Sequence, residues 1–211
     1  MKKVTSTKVL LICGIFAPIL YISTDIFLGL ISPGYSFNSQ AISELSAIGA
    51  PTRLSWIVMT FIFNPLLTAF GFGVLKAAKE KRSLHITGIL LTIWGFLGFV
   101  WLFFPMHQRG EIGSTTDTMH LVMAGVTVFL LTLFIGLGSA TNGKKFRLYS
   151  ILTILVMLFF GAMTGQQAPR VAAQLPTPWM GIMERISVYL PMIWVFVLAT
   201  TLLRVKKLSD K

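Results

Sequence analysis

Six stretches of this chain are each long and apolar enough to cross a lipid bilayer, and that fact removes most folds from consideration. They run over 9–31, 54–75, 86–106, 121–141, 148–168 and 186–203. A spanning helix needs about 20 consecutive, mostly apolar residues, because the hydrocarbon core is about 30 Å thick. The only charge inside any of the six is Asp25. No water reaches the bilayer interior to satisfy backbone polar groups, so segments of this kind must be helical. The expected fold class is therefore all-α, a single membrane domain over 1–211 built as a six-transmembrane-helix bundle. The connections are too short to hold a soluble domain. Lys2 and Lys3 ahead of an apolar run invite a signal-peptide reading. The run continues past Asp25 to Ile31 without a small-residue cleavage site, so it reads as an uncleaved helix.

Composition agrees and narrows the function classes. Apolar residues make up 55% of the chain and charged residues only 12%, against about a quarter in soluble domains. One cysteine, Cys13, excludes an intrachain disulfide framework and a Cys-rich metal site. Three histidines are too few for a multi-haem bundle. The net charge of +11 suggests nucleic acid only until the positions of the charges are read. Of the 18 Lys and Arg, only Arg53, Arg109, Arg170 and Arg185 fall on one side of the threaded chain, and the other fourteen fall on the opposite side. The positive-inside rule places the basic side in the cytoplasm, with both termini there, in a multi-pass cell-membrane protein. The basic residues then face anionic lipid, and no nucleic-acid partner is expected.

The acids sort the other way. Asp25, Glu44, Glu111, Asp117 and Glu184 lie on or near the outer side with the four Arg, His107 and His120. A mixture of both signs is what a paired polar site requires. In the first outer loop Phe37, Ala41, Leu45 and Ile48 recur at helical spacing, which predicts a short amphipathic helix over about 39–48 lying on the outer membrane surface. The loop after the fifth span, 169–181, carries Pro169, Pro176, Pro178 and Trp179 and reads as an irregular segment held at the interface. Pro18, Pro65 and Pro191 fall inside spans and predict kinks. Gly161 with Gly165, and Gly95 with Gly98, permit close helix contact.

Asp25 is the sharpest residue. It sits six positions before the end of its span, roughly 9 Å below the boundary at 1.5 Å per residue. An unpaired carboxylate there is costly, so it must face the bundle and find a partner. Arg185, His120 and Arg170 are the candidates, with Arg185 the best placed, and an ion pair that merely fixes two helices is the plain alternative. Asp117 and His120 are three apart at a helix start and would share a face, as a metal-binding or proton-moving pair or with Asp117 simply as a cap. His107, His120 and one carboxylate would match a facial-triad-like or zinc-hydrolase-like ligand count, although no local spacing supports it. Glu184 and Arg185 open the sixth helix, with Tyr189 one turn below. The candidate polar site is thus Asp25, His107, Asp117, His120, Arg170, Glu184 and Arg185, with no cofactor expected. No nucleophile elbow and no phosphate-binding loop occurs in the chain.

These motifs come in a distinctive order. Ser23 and Asp25 stand in the first helix, followed by Ile42–Ser46 (ISELS) and Gly49-Ala50-Pro51-Thr52 in the outer loop. Phe104-Pro105 then closes the third helix, His120-x-x-x-Ala124 opens the fourth, and Gly181-x-x-Glu184-Arg185 opens the sixth. The chain resembles, over nearly its whole length, the prokaryotic membrane family called domain of unknown function 998. The resemblance implies a six-helix bundle in the cell membrane and carries no settled activity. The residues themselves point to an outward-facing polar pocket that binds a lipid headgroup or small ligand, with Arg170 or Arg185 holding an anion. A membrane-embedded hydrolase acting at the outer leaflet, with His120 as base or metal ligand, is the enzymatic alternative. A proton-coupled transporter with Asp25 as carrier is the third.

Overall fold

The computed structural model describes residues 6–209. Lys2, Lys3, Asp210 and Lys211, together with the side chains of Lys206 and Lys207, lie outside what is described. The helices are α1 (Ser6–Ile31), α2 (Arg53–Ala78), α3 (Arg82–Val100), α4 (Thr115–Gly138), α5 (Gly143–Gly165), the one-turn α6 (Ala168–Ala172) and α7 (Met180–Ser209). Short 3-10 turns occupy Ile42–Ser46, Trp101–Phe103 and Ser139–Thr141, and no strand occurs among the described residues. All helices except α6 are long and apolar enough to span a bilayer, so this is a multi-pass membrane protein. The largest difference from the expected spans is at α7, which begins at Met180 and takes Glu184 and Arg185 into its first turns.

Neighbouring helices close a ring in the order α1–α2–α3–α4–α5–α7 and back to α1. The tightest seam is α2 with α3. A Cβ on Gly95 would stand 2.8 Å from the backbone nitrogen of Thr68, so that glycine is what lets the two backbones approach. Gly98 makes room for the Asn64 side chain on the facing helix. The Gly161–Gly165 pair of α5 differs: the nearest atom to a Gly161 Cβ is Ser187 Cβ at 3.9 Å, and Gly165 has nothing within 4 Å. The ring is filled by a relay of aromatic side chains, Phe63 to Trp94, Phe134, Trp194 and Phe146, with centroids 5.3–6.3 Å apart. The Trp194 indole N–H reaches Ser150 Oγ at 2.8 Å, so the one polar atom this large ring brings inward is satisfied.

An even number of crossings gathers the three long connections, 32–52, 101–114 and 166–179, at one end of the bundle. There they interlock as a cap. Ile48 N–H donates to Met106 O at 2.8 Å, Gly181 N–H to Asn38 O at 3.0 Å, and Thr177 Oγ1 to Ser39 O at 2.7 Å. Ala41, Ala47, Met106, Val171 and Met180 form a small apolar core of their own beneath these contacts.

This cap overturns the expected amphipathic surface helix at 39–48. The segment is a single 3-10 turn, Ile42–Ser46, and Ala41, Ile42, Leu45 and Ala47 are all buried. The apolar stripe is real, but it meets the underside of the other two loops instead of lipid.

Candidate functional site at the long-loop end

Asp25 lies in the last two turns of α1 and is completely buried. Arg185, in the second turn of α7, grips it with two parallel bonds, Nε to Oδ2 and Nη2 to Oδ1, each 2.9 Å. The Tyr189 hydroxyl, one turn along α7, donates to the same Oδ2. The rest of the guanidinium is equally committed. Nη1 faces the carbonyls of Phe37, Gln40 and Gly181 at 3.1–3.2 Å, and Nη2 reaches the Tyr35 hydroxyl at 2.6 Å. The Phe37 ring covers its face at 4.7 Å. A guanidinium has five N–H groups, and every one here has an acceptor inside the protein. Arg185 therefore has no donor left for a ligand. Burial pushes the Tyr35 phenol well above its ordinary range, so it keeps its proton and donates to Ala41 O at 2.8 Å. Gly181 completes the arrangement: a Cβ there would run into the Phe37 and Gln40 carbonyls that Arg185 uses.

A second ion pair, with a buried carboxylate and a partly buried guanidinium, joins the loops. Glu44 accepts from Arg109 Nε at 2.6 Å and Nη2 at 2.8 Å. Arg109 also donates to Ser39 O and to Thr177 Oγ1, each at 2.8 Å. One side chain from the 101–114 loop thus ties together both other loops, and four of its five N–H groups are used. Glu44 turns back to accept the Ala41 N–H at 2.8 Å, and Glu184 reaches across from α7 to accept the Ile42 N–H. Two carboxylates therefore satisfy the free donors at the start of the 3-10 turn. Arg109 and Glu44 were not among the sequence candidates. Both are loop residues 65 positions apart, and no spacing rule links them.

Asp117 and His120 do not pair as expected. Asp117 turns back over the start of α4, where it accepts the Gly113 and Ser114 N–H groups at 3.0 and 2.9 Å and the Ser114 hydroxyl at 2.8 Å. Its other partner is His107, through the backbone N–H at 2.7 Å and through Nδ1 at 3.1 Å. His120 turns instead towards the end of α3, with Nδ1 on Phe104 O at 2.9 Å and its ring edge-on to Trp101. The capping demand of the helix start wins over the shared face. No three His, Cys, Asp or Glu side chains come within reach of one metal ion among the described residues, so the facial-triad arrangement is not assembled there. Arg170, on α6, is exposed and among the described residues uses only Nε, on Pro176 O at 2.8 Å. The seven candidates thus resolve into an Asp25–Arg185 centre with Glu184 beside it, an Asp117–His107 pair, and His120 and Arg170 apart.

A groove of about 410 Å³ lies at this end between residues 38–39 and 174–178, lined by both polar and apolar side chains, with Arg109 in its wall. Gln174 (φ 55) and Trp179 (φ 67) bracket that wall, and both hold left-handed backbone that costs a non-glycine residue about 1–3 kcal/mol. Gln174 is held there partly by its side-chain amide on Arg109 O at 2.8 Å. Strain retained on both sides of a groove marks a shape imposed by its surroundings.

The comparisons with known proteins add a family but no activity. A family model described as a protein of unknown function (DUF998) matches residues 15–201. No curated protein and no solved structure matches the chain.

Proposed function

The chain belongs to the DUF998 family, and from that premise we propose that it is a membrane-embedded binding protein whose long-loop end takes a small anionic ligand, a lipid headgroup or a free small molecule. The observation that carries this reading is the groove at 38–39 and 174–178, with the Arg109 guanidinium in its mixed lining and its strained rim. Among the described residues Arg109, in the groove lining, keeps one N–H beyond its partners, and Arg170, beside the lining and bonded to Pro176 in it, keeps all the N–H groups of Nη1 and Nη2. Those are the donors available to an anion; the guanidinium of Arg185 is spent. The anion-holding role therefore falls to Arg170, supported by Arg109, with Asp25, Glu184 and Arg185 fixing the helices underneath.

Purified protein should be stabilised by an anionic short-chain phosphatidylglycerol or by inorganic phosphate. A hundredfold excess over Kd would give about 2.7 kcal/mol. Arg170→Ala should remove most of the melting-temperature shift and leave the unliganded melting temperature near that of the parent. A response to neither probe, or an undiminished shift in Arg170→Ala, defeats the reading. A response to the lipid alone identifies a headgroup site.

The groove faces outward on this reading, because the basic residues crowd the opposite end of the bundle, where both termini lie in the cytoplasm of a cell-membrane protein. Single cysteines at Glu111 and Lys144, in a Cys13→Ser background, test that sidedness. A membrane-impermeant thiol reagent applied to whole cells should modify the first and spare the second; the reverse pattern overturns the threading.

One observation favours an enzymatic second reading. The buried Asp117 carboxylate orients the His107 imidazole through Nδ1, leaving Nε2 without a partner among the described residues. That is the geometry of a general base at an outer-leaflet hydrolase site. His107, not His120, would then be the residue whose replacement abolishes turnover.

A further inference from the structure

A second concavity lies on the lipid-facing side of the bundle, along the α1–α7 seam below the ion pair. Pro18 stands seven residues below Asp25 on α1, and Pro191 stands six beyond Arg185 on α7. On two antiparallel helices both prolines therefore fall about 10 Å beneath the pair. Each removes one helical hydrogen bond and pushes on the carbonyl four residues back, which bends the helix. The α1–α7 seam carries a groove of about 320 Å³, walled by Pro18, Ile22, Ser23 and Ile26 of α1 and by Ile193 and Phe196 of α7. Its one hydroxyl is already committed: Ser23 Oγ bonds back to Ile19 O at 2.7 Å and Leu20 O at 3.1 Å. The wall offers no free hydrogen-bond donor to a polar ligand, and the small Ser23 side chain leaves the hollow unfilled.

We propose that this groove holds one acyl chain of a bilayer lipid from the leaflet at the long-loop end. Both walls belong to membrane-spanning segments, so the medium around them is hydrocarbon. Ile26 and Pro18 lie five and thirteen residues from the α1 terminus at Ile31, or about 8 and 20 Å down the helix. A chain anchored at the headgroup level runs to the bilayer midplane, about 15 Å below the edge of the core, and so lies along most of that depth, with Pro18 just past its terminal methyl group. The volume also matches: at about 30 Å³ for a water-sized group, it accommodates roughly ten methylene-sized groups. The surface on α4 and α5 is of another kind, with Phe129 and Phe159 standing proud at 65% and 61% exposure. Lipid passes over those rings without being enclosed. The groove stands apart from the proposed anion site and does not depend on it.

The test uses the full chain in phosphatidylcholine vesicles containing a fraction of phosphatidylcholine with a diazirine in mid-chain. After photolysis, adducts mapped by peptide mass spectrometry should concentrate several-fold on 18–26 and 193–196 over the peptides carrying Phe129 and Phe159. Ser23→Phe, which fills the hollow, should lose that enrichment while labelling elsewhere stays the same; Ser23→Ala should keep it. Even labelling around the bundle, or enrichment that survives Ser23→Phe, overturns the proposal. If Ser23→Phe does not fold, native mass spectrometry of the parent protein after stepwise delipidation decides. One retained diacyl lipid supports the site and none defeats it. A protein–protein cross-link at Ile22 would assign the groove to a second copy of the chain and defeat it equally.

Discussion

Asp25→Asn is expected to cost this protein about 3–5 kcal/mol of stability, the penalty for removing one partner of a buried ion pair. Asn can still accept one bond from Arg185, but the cation loses its bidentate counter-ion inside a spanning segment, where an unpaired charge is costly. Arg185→Gln alone should be at least as damaging, since it strands the Asp25 carboxylate and also abandons the Phe37, Gln40 and Tyr35 contacts. The two substitutions together should recover part of the summed loss, because neither charge is then left alone. Unfolding of the four proteins in mixed micelles gives the coupling energy. Strictly additive losses would show that the pair does not act as a unit. A wild-type melting temperature for Asp25→Asn, together with loss of a ligand response, would return Asp25 to the ligand-binding role that the saturated geometry argues against.

How far the sequence carried can be seen at three places. The spans were legible because the bilayer imposes a length and an apolar composition that nothing else in the chain imitates. The Asp25–Arg185 pair was legible for the same reason: depth makes a partner compulsory, and the threading leaves few cations within reach. The start of α7 was misplaced because Glu184 and Arg185 look like residues outside a membrane. Inside the fold their charges are met by Asp25 and by the Ile42 N–H, so the helix can begin six residues earlier than the 186 expected from hydropathy.

The cap was not legible, and the reason is physical. Its contacts join loops whose relative positions follow from the bundle, not from any local periodicity. The spacing of Ala41 and Leu45 suits an α-helix on a membrane surface and suits equally a 3-10 turn buried under two other loops. Asp117 shows the same limit. Helical spacing put His120 on its face, but the unsatisfied N–H groups at the start of α4 draw the carboxylate backwards, and His107 arrives there from the preceding loop.

Arg109 carries the other large expected effect. Arg109→Ala removes every bond by which the 101–114 loop holds Ser39, Glu44 and Thr177 and leaves the Glu44 carboxylate buried without its cation. A loss of about 3–5 kcal/mol follows from the stranded charge, and its location distinguishes it from a general loss of fold. Amide hydrogen exchange should speed up across 38–48 and 174–178, while the α2–α3 seam, held by glycine contacts far from Arg109, keeps its protection. Arg109→Lys should recover only part of the loss, since an ammonium supplies the charge but cannot span both Glu44 oxygens while reaching Thr177. Adding Glu44→Gln to Arg109→Ala should restore stability without fully restoring order to the groove wall. The stranded charge is gone, but the guanidinium bonds to Ser39 and Thr177 are still missing, leaving the loops held only by the Ile48–Met106, Gly181–Asn38, Thr177–Ser39 and Gln174–Arg109 contacts. Salt should matter little to any of these differences, as the Glu44 carboxylate is buried and the Arg109 guanidinium is mostly covered. Uniformly faster exchange over the whole bundle in Arg109→Ala would show that the cap and the ring of helices unfold as one, and Arg109 would then hold up the entire fold instead of the groove alone.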